Sequence, residues 1–438
     1  MKMKVLKFGG TSVGSALRMH KLVELINNNE PKIVVLSAMS GTTNALVEIA
    51  NAFHQRNFSR ATELIKAFEN NYLNVIDELF ATITSLHKAE KFLEEKIDLL
   101  HSFSKKGFSN ADECLVLAQG ELISTTLFHY YLEEIKIESV LLPALEFMRT
   151  DANEEPDMKQ IEKLIEEELK KYPSQKLFIT QGYICKNAKG EIDNLKRGGS
   201  DYTATIIGAA IDSSEIQIWT DIDGMHNNDP RVVKNTHPIA QLSFDEAAEL
   251  AYFGAKILHP TCILPAKDKK IPVRLLNTMQ PEAAGTLINK ESQGDNIKAV
   301  AAKDGITAIK IKSGRMLLAY GFLSTVFEIF ERNKTSIDMI TTSEVAVSLT
   351  IDNTKNLEKI LEELKEFGTV DVDENQTIIC IVGDFEADKQ GYAVKVFDSL
   401  KNIPIRMISY GGSENNISVL VNSEFKNQAL VALNEGLF

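Results

Sequence analysis

Cysteine is scarce in this chain and never closely spaced. Cys114, Cys185, Cys262 and Cys380 stand far apart with no Cys-x-x-Cys, so neither a zinc ribbon nor a disulfide framework is expected. No apolar stretch approaches the roughly 18 residues that span a bilayer. The N-terminal apolar segment is broken at once by Gly9 and Gly10, so a signal peptide is not expected either. Positive charge is the minority sign: the net charge is -13, which speaks against nonspecific nucleic-acid binding. A Walker A pattern is missing, which excludes a P-loop enzyme. What remains is ordinary for a soluble, cytoplasmic protein, 44% hydrophobic and 25% charged. At roughly 150 residues per domain, 438 residues make two to four domains.

Continuous apolar runs mark strands buried on both faces of a parallel sheet. Ile33, Val34, Val35 and Leu36 within 32–37 form such a run, and residues 3–8, 177–180, 216–220 and 271–275 read as further strands. Helical patterns fill most of 43–141 and 154–172. In the second of these Ile161, Leu164, Ile165 and Leu169 share a face. The alternation predicts an α/β sandwich around a mainly parallel sheet. The catalytic unit is expected to close near Gly285–Ile288, with a polar linker over 291–296. Beyond 306 a strand–helix–strand–helix–strand order appears and then recurs in similar form from 377. This predicts two ferredoxin-like units of about 60–75 residues. Residues 296–302 fit either one.

Five elements carry candidate chemistry. The first strand ends in Lys7-Phe8-Gly9-Gly10-Thr11-Ser12-Val13: a cation beside paired glycines that admit a phosphate close to backbone N–H groups. Ser37–Asn44 follows the second strand with small hydroxyl residues at the edge where such sheets bind ligands; Thr43 or Asn44 equally suits a helix cap. Lys196-Arg197-Gly198-Gly199-Ser200-Asp201-Tyr202-Thr203 sets a planar guanidinium, suited to a carboxylate, before a helix N-terminus. Asp201 there is placed to orient Lys7 or a metal-bound group. Thr220–Arg231 ends a buried strand in an acidic turn containing Asp221 and Asp229; it lacks the terminal Glu of a calcium loop. Phe253–Pro260 offers Lys256 as a phosphate or adenine-side contact, and His259 as a helix-end core histidine.

Together with Gln119-Gly120-Glu121, these elements in this order closely resemble the aspartate kinase family over essentially the whole chain. The resemblance implies an amino-acid-kinase three-layer sandwich over 1–290, a linker or shared strand over 291–304, and ACT units over 305–375 and 376–438. It implies transfer of the ATP γ-phosphoryl group to the β-carboxylate of L-aspartate, with Mg²⁺ accompanying ATP and no direct protein ligand for the metal. Lys7 and Asp201 would be catalytic. Ser37, Thr43, Glu121, Arg197 and Ser200 would surround aspartate. Lys7, Gly9, Gly10, Thr220, Asp221, His226, Arg231 and Lys256 would face ATP, although the family commonly carries Tyr where His226 stands. The β-carboxylate is ionised at pH 7, so no general base is required.

The C-terminal part resembles the lysine-inhibited branch. Met316, Phe322, Leu323, Ser336, Ile337, Asp338, Ser343 and Glu344 stand at its effector positions, which implies L-lysine as effector. ACT pairing implies a homodimer or a dimer of dimers. With no Rossmann fingerprint after the ACT units, a fused homoserine dehydrogenase is not expected. The rival readings are another amino-acid kinase and a non-catalytic amino-acid sensor.

Overall fold

The computed structural model describes residues 2–105, 107–196, 198–254, 259–291, 297–313, 320–385 and 390–438. Arg197, Lys256, Met316 and most of the expected linker therefore lie outside the described residues. The chain divides into two units, residues 1–225 with 257–291 and residues 226–256 with 292–438.

In the first unit the strands are β1 (Lys4–Phe8), β2 (Lys32–Leu36), β3 (Val140–Leu142), β4 (Leu177–Gln181), a hairpin of β5 (Ile184–Lys186) and β6 (Ile192–Asn194), and β7 (Ile216–Thr220). The second unit interrupts with β8 (Gln241–Ser243), and β9 (Val273–Asn277) and β10 (Thr286–Asn289) complete the first. The main sheet runs β3-β4-β2-β1-β7-β9-β10, parallel except at β10. β1, β2 and β4 bury almost every residue, as strands covered on both faces do. In register, Phe8 pairs with Leu36 and Trp219, and Leu36 with Gln181, so these strands finish together along one edge.

The helices of this unit are α1 (Ala16–Ile26), α2 (Thr42–His54), α3 (Phe58–Leu79), α4 (Ile83–Ser102), α5 (Asn110–Glu134), α6 (Ala144–Phe147), α7 (Met158–Lys170), α8 (Gly199–Ala210) and, after the α9 of the second unit, α10 (Pro260–Lys269). α5 starts on a capping box: the Ser109 hydroxyl accepts from Asp112 N–H, and the Asp112 carboxylate accepts from Ser109 N–H. Its buried stretch includes Gln119, Glu121, Ser124 and Thr125, so polar groups line the inside of this helix. Gly120 lets it come close, since a Cβ there would sit 2.8 Å from that of Ala38.

The second unit is built on one antiparallel sheet ordered β12-β13-β11-β14-β16-β15. Its strands are β11 (Ile297–Lys312), β12 (Ile340–Thr342), β13 (Ala346–Ile351), β14 (Thr369–Gly383), β15 (Ile405–Tyr410) and β16 (Asn416–Asn422). Helices α11 (Phe322–Arg332), α12 (Leu357–Lys365), α13 (Tyr392–Ser399) and α14 (Lys426–Leu437) accompany it. The two strands expected at 369–372 and 377–382 are one continuous strand, β14. Its turn-like residue Asn375, at φ 56, is absorbed where the register against β11 slips.

That long strand explains the ambiguous 296–302. The C-terminal half of β11 pairs with β13 and with the first half of β14, whereas its N-terminal half, 297–303, pairs with 378–383. The fourth strand of the C-terminal ferredoxin-like unit is thus supplied from before the other unit.

Residues 226–254, including α9 (Phe244–Tyr252), are stitched to this sheet. Asn228 Nδ2 donates to Leu430 carbonyl oxygen at 3.0 Å, and Val300 N–H donates to Asn227 oxygen at 2.8 Å. The Glu249 carboxylate accepts from the Ser413 hydroxyl at 2.8 Å and from Asn416 Nδ2 at 2.5 Å. No helix among the described residues is long and apolar enough to cross a membrane.

Candidate active site

The shared strand edge delivers its loops to one place. Lys7, one residue from the end of β1, extends Nζ to within 2.6 Å of Asp201 Oδ1, and the two side chains are only 10% and 18% exposed. Asp201 lies in the first turn of α8, where the helix dipole favours an anion. Gly198 caps that helix at φ 65, a left-handed conformation that costs glycine little. Of the two roles open to Asp201, pairing with Lys7 is the one the geometry displays. Phe8 stacks on Trp219 with ring centroids 5.6 Å apart, tying β1 to β7 next to Lys7.

The turn after β2 is gripped by α5. Ala38 N–H donates to Glu121 Oε1 at 3.2 Å, and the Ser124 hydroxyl donates to Ser37 oxygen at 2.8 Å. Burial pushes the Glu121 carboxyl up to about 7, against the opposing pull of the Ala38 N–H. Among the described residues no cation pairs with it. Ser200 is buried, and a Cβ at Gly182, just after β4, would lie 2.3 Å from that of Ser200. Thr43 lies exposed in the first turn of α2 and caps nothing, because Gly41 is the cap. Its neighbour Thr42 is buried instead, sharing a 3.0 Å hydrogen bond with Tyr72.

Thr220 closes β7, and its hydroxyl accepts from Ile222 N–H at 3.2 Å, shaping the turn that carries Asp221. His226 and Arg231 belong to the second unit. There His226 Nδ1 lies 3.0 Å from the Thr236 hydroxyl. Arg231 is held by Asp229 in a two-point fork at 2.9 and 2.7 Å, with its side chain 77% exposed. His259 is the exposed N-cap of α10 and not a core residue. The described residues contain no cluster of three or more His, Cys, Asp or Glu fit to hold a metal.

In the second unit Asp338 has a fully buried side chain. Its Oδ1 accepts from the Tyr252 hydroxyl at 2.6 Å and lies 3.0 Å from Lys303 Nζ. Lys303 also reaches Asp352 at 2.9 Å and lies over the Tyr252 ring at 4.2 Å. The second carboxylate oxygen, Oδ2, is buried with no hydrogen-bond partner among the described residues. Phe322 and Leu323 open α11, while Ser336, Ser343 and Glu344 are exposed and Ile337 is partly buried.

Sequence reasoning missed Lys303 and Tyr252, which are far from Asp338 in the chain and carry no motif. It missed Ser124 too, which lies one helical turn beyond Glu121 but opens the polar run Ser124-Thr125-Thr126, so no local signal singled it out.

A family model described as Amino acid kinase family matches residues 2–277, and one described as ACT domain matches 379–437. Lysine-sensitive aspartokinase 3 of Escherichia coli K12 is 35% identical over 447 residues, covering 99% of both chains. The crystal structure of E. coli aspartokinase III with aspartate and ADP, in the R-state, superimposes with a TM-score of 0.85 at 35% identity over 100% of both chains. The T-state of that enzyme, with lysine and aspartate, gives 0.82 at the same identity and coverage. By sequence and by fold along its whole length, the chain belongs to the aspartokinase family of ATP-dependent aspartate kinases within the amino acid kinases.

Proposed function

We propose that the enzyme forms 4-phospho-L-aspartate with Lys7 as the cation on the transferring phosphoryl group and Glu121 as the partner of the aspartate α-ammonium. The observation that carries this reading is the pair of opposite charges at one strand edge. Lys7 is locked by Asp201 at the glycine turn, and Glu121 is buried behind the Ser37–Ala38 turn. Gly9 and Gly10 then admit the phosphates. Ser37, Thr43, Arg197 and Ser200 complete the aspartate pocket, with Arg197 on a carboxylate. Thr220, Asp221, His226, Arg231 and Lys256 serve ATP, for which Arg231 must share its fork with Asp229.

Catalysis under this reading is alignment of two anions plus charge neutralisation. Asp201 is already committed to Lys7, and no acidic cluster stands nearby among the described residues. Mg²⁺ therefore fits as the counter-ion carried in by the ATP phosphates, adding charge neutralisation there. Lys7 keeps the phosphoryl oxygens oriented, and the ionised acceptor needs no base. A coupled assay of ADP release with aspartate against glutamate tests this. Equal rates would remove the aspartate pocket from the reading.

The domain division follows the same family: a catalytic part over 1–290, a shared strand within 291–304, and ACT units over 305–375 and 376–438. L-Lysine is the proposed effector, at a site of Met316, Phe322, Leu323, Ser336, Ile337, Asp338, Ser343 and Glu344 between the ACT units of two chains in a homodimer or dimer of dimers. The buried, unmatched Asp338 Oδ2 supports it, since an ammonium group would satisfy that oxygen. Titration with lysine, threonine and methionine decides the effector. Four free thiols fit a reducing cytoplasmic setting.

A further inference from the structure

We propose that Ser124 is a positioning residue for aspartate: it holds the Ser37–Ala38 peptide group in the orientation that presents its N–H to Glu121. The inference rests on the reading of Glu121 as the partner of the substrate ammonium. Ser37 C=O and Ala38 N–H are the two ends of one planar unit. Ser124 donates to the first at 2.8 Å, and Glu121 accepts from the second at 3.2 Å. Both grips come from α5, three residues apart and so on the same helical face. A peptide plane held at both ends by one helix cannot turn without breaking a buried hydrogen bond, and Ser124 is fully buried.

Packing closes the other side. A Cβ at Gly10 would lie 2.9 Å from Ala38 oxygen, so the next carbonyl of the same segment abuts the phosphate turn. The orientation of this one peptide thus bears on the ammonium site and on its distance from Lys7. Without the Ser124 hydroxyl the Ser37 carbonyl loses its buried donor and the plane is released. Glu121 then loses the N–H that favours its ionised form. The titratable groups facing Glu121 are Tyr72 from α3 and Tyr183 after β4; neither is cationic.

The test is steady-state kinetics of the full-length enzyme against pH. In Ser124→Ala we expect kcat/KM for aspartate to fall at least about tenfold, with KM for ATP within about twofold of wild type. The acid limb of kcat/KM for aspartate should move to higher pH by about one unit. Thr125→Val is the control. Its hydroxyl donates to Glu121 carbonyl oxygen at 2.7 Å within the same helix and does not touch the 37–38 peptide. It should lower Tm comparably and leave the acid limb in place. A folded Ser124→Ala enzyme with wild-type aspartate KM and acid limb overturns the proposal, as does an equal shift in Thr125→Val. Glu121→Gln separates the two levels. Wild-type aspartate KM in that variant sinks the Glu121 reading, whereas a raised KM there with an unaltered Ser124→Ala sinks only the Ser124 role. Should Ser124→Ala not fold, Ser124→Cys, close in size and a weaker donor, carries the same comparison.

Discussion

Glu121 in the first unit and Asp338 in the second are both buried acids, yet one meets a backbone N–H and the other a lysine ammonium. The difference separates a group prepared for a ligand from a group that already joins parts of the protein. Glu121 has been desolvated without a compensating cation among the described residues, and its carboxyl titrates near neutrality as a result. Asp338 shares one oxygen with Lys303 and Tyr252, so it fastens the strand region 303–352 to the helix α9. Any effector that engages Asp338 must act on an existing joint, whereas a substrate at Glu121 supplies a charge the fold leaves out.

The contrast can be tested from its strongest point downward. Lys7→Met should lower kcat by about 10²–10³ with the fold intact, as loss of one preorganised charge contact typically does. Near-normal turnover in a folded variant would remove Lys7 from the phosphoryl site.

Asp338→Asn comes next. It strips Lys303 of one of two anions in a mostly buried setting, at a cost of about 3 kcal/mol, the lower end for a broken buried pair. Denaturant unfolding reads that cost, and lysine titration should show inhibition weakened in parallel. Unchanged stability would mean that the joint is unimportant.

Glu121→Gln should go the other way for stability. A carboxyl raised to about 7 from its ordinary 4.5 binds its proton more tightly in the folded state. The Glu121 contribution to wild-type stability is then fully present below pH 4.5, is lost between pH 4.5 and 7, and is flat above. Gln lacks that slope, so at pH 8 the variant should be more stable, by roughly 1–3 kcal/mol, and bind aspartate worse. Thermal unfolding at acid and alkaline pH measures it, and identical slopes in both proteins would refute the buried-charge account. The smallest effect belongs to the exposed Glu166–Lys170 pair on α7. Glu166→Ala should change stability by no more than about 0.5 kcal/mol, and a larger loss would show that exposure is a poor guide here.

Much of this arrangement was legible in the sequence. Ile33–Leu36 and Leu177–Ile179 are unbroken apolar runs, the pattern that strands covered on both faces use. Lys7 beside two glycines, and Asp201 at a glycine-led helix start, announced a charged turn. Pairings between distant segments stayed hidden. Nothing local in Ala38 says that its N–H meets a carboxylate 83 residues away. Lys303 reads as one more strand-end lysine until β11 and the segment before β13 bring it to Asp338. The continuity of β14 was also unreadable, because Asn375 looks like a turn and only the register against β11 carries the strand through it.

The shared strand has a consequence for how the chain comes into being. Residues 297–303 leave the ribosome well before 378–383, the segment they must pair with. Everything between them, including α11, α12 and β13, is synthesised first and has its own partners at hand. The early module can close locally while residues 297–303 wait for 378–383, β15 and β16 to be made. A fragment beginning at 376 would never acquire that strand and would expose a bare edge of β14, an invitation to self-association. Excision of the C-terminal regulatory module for separate study therefore has to begin before residue 297.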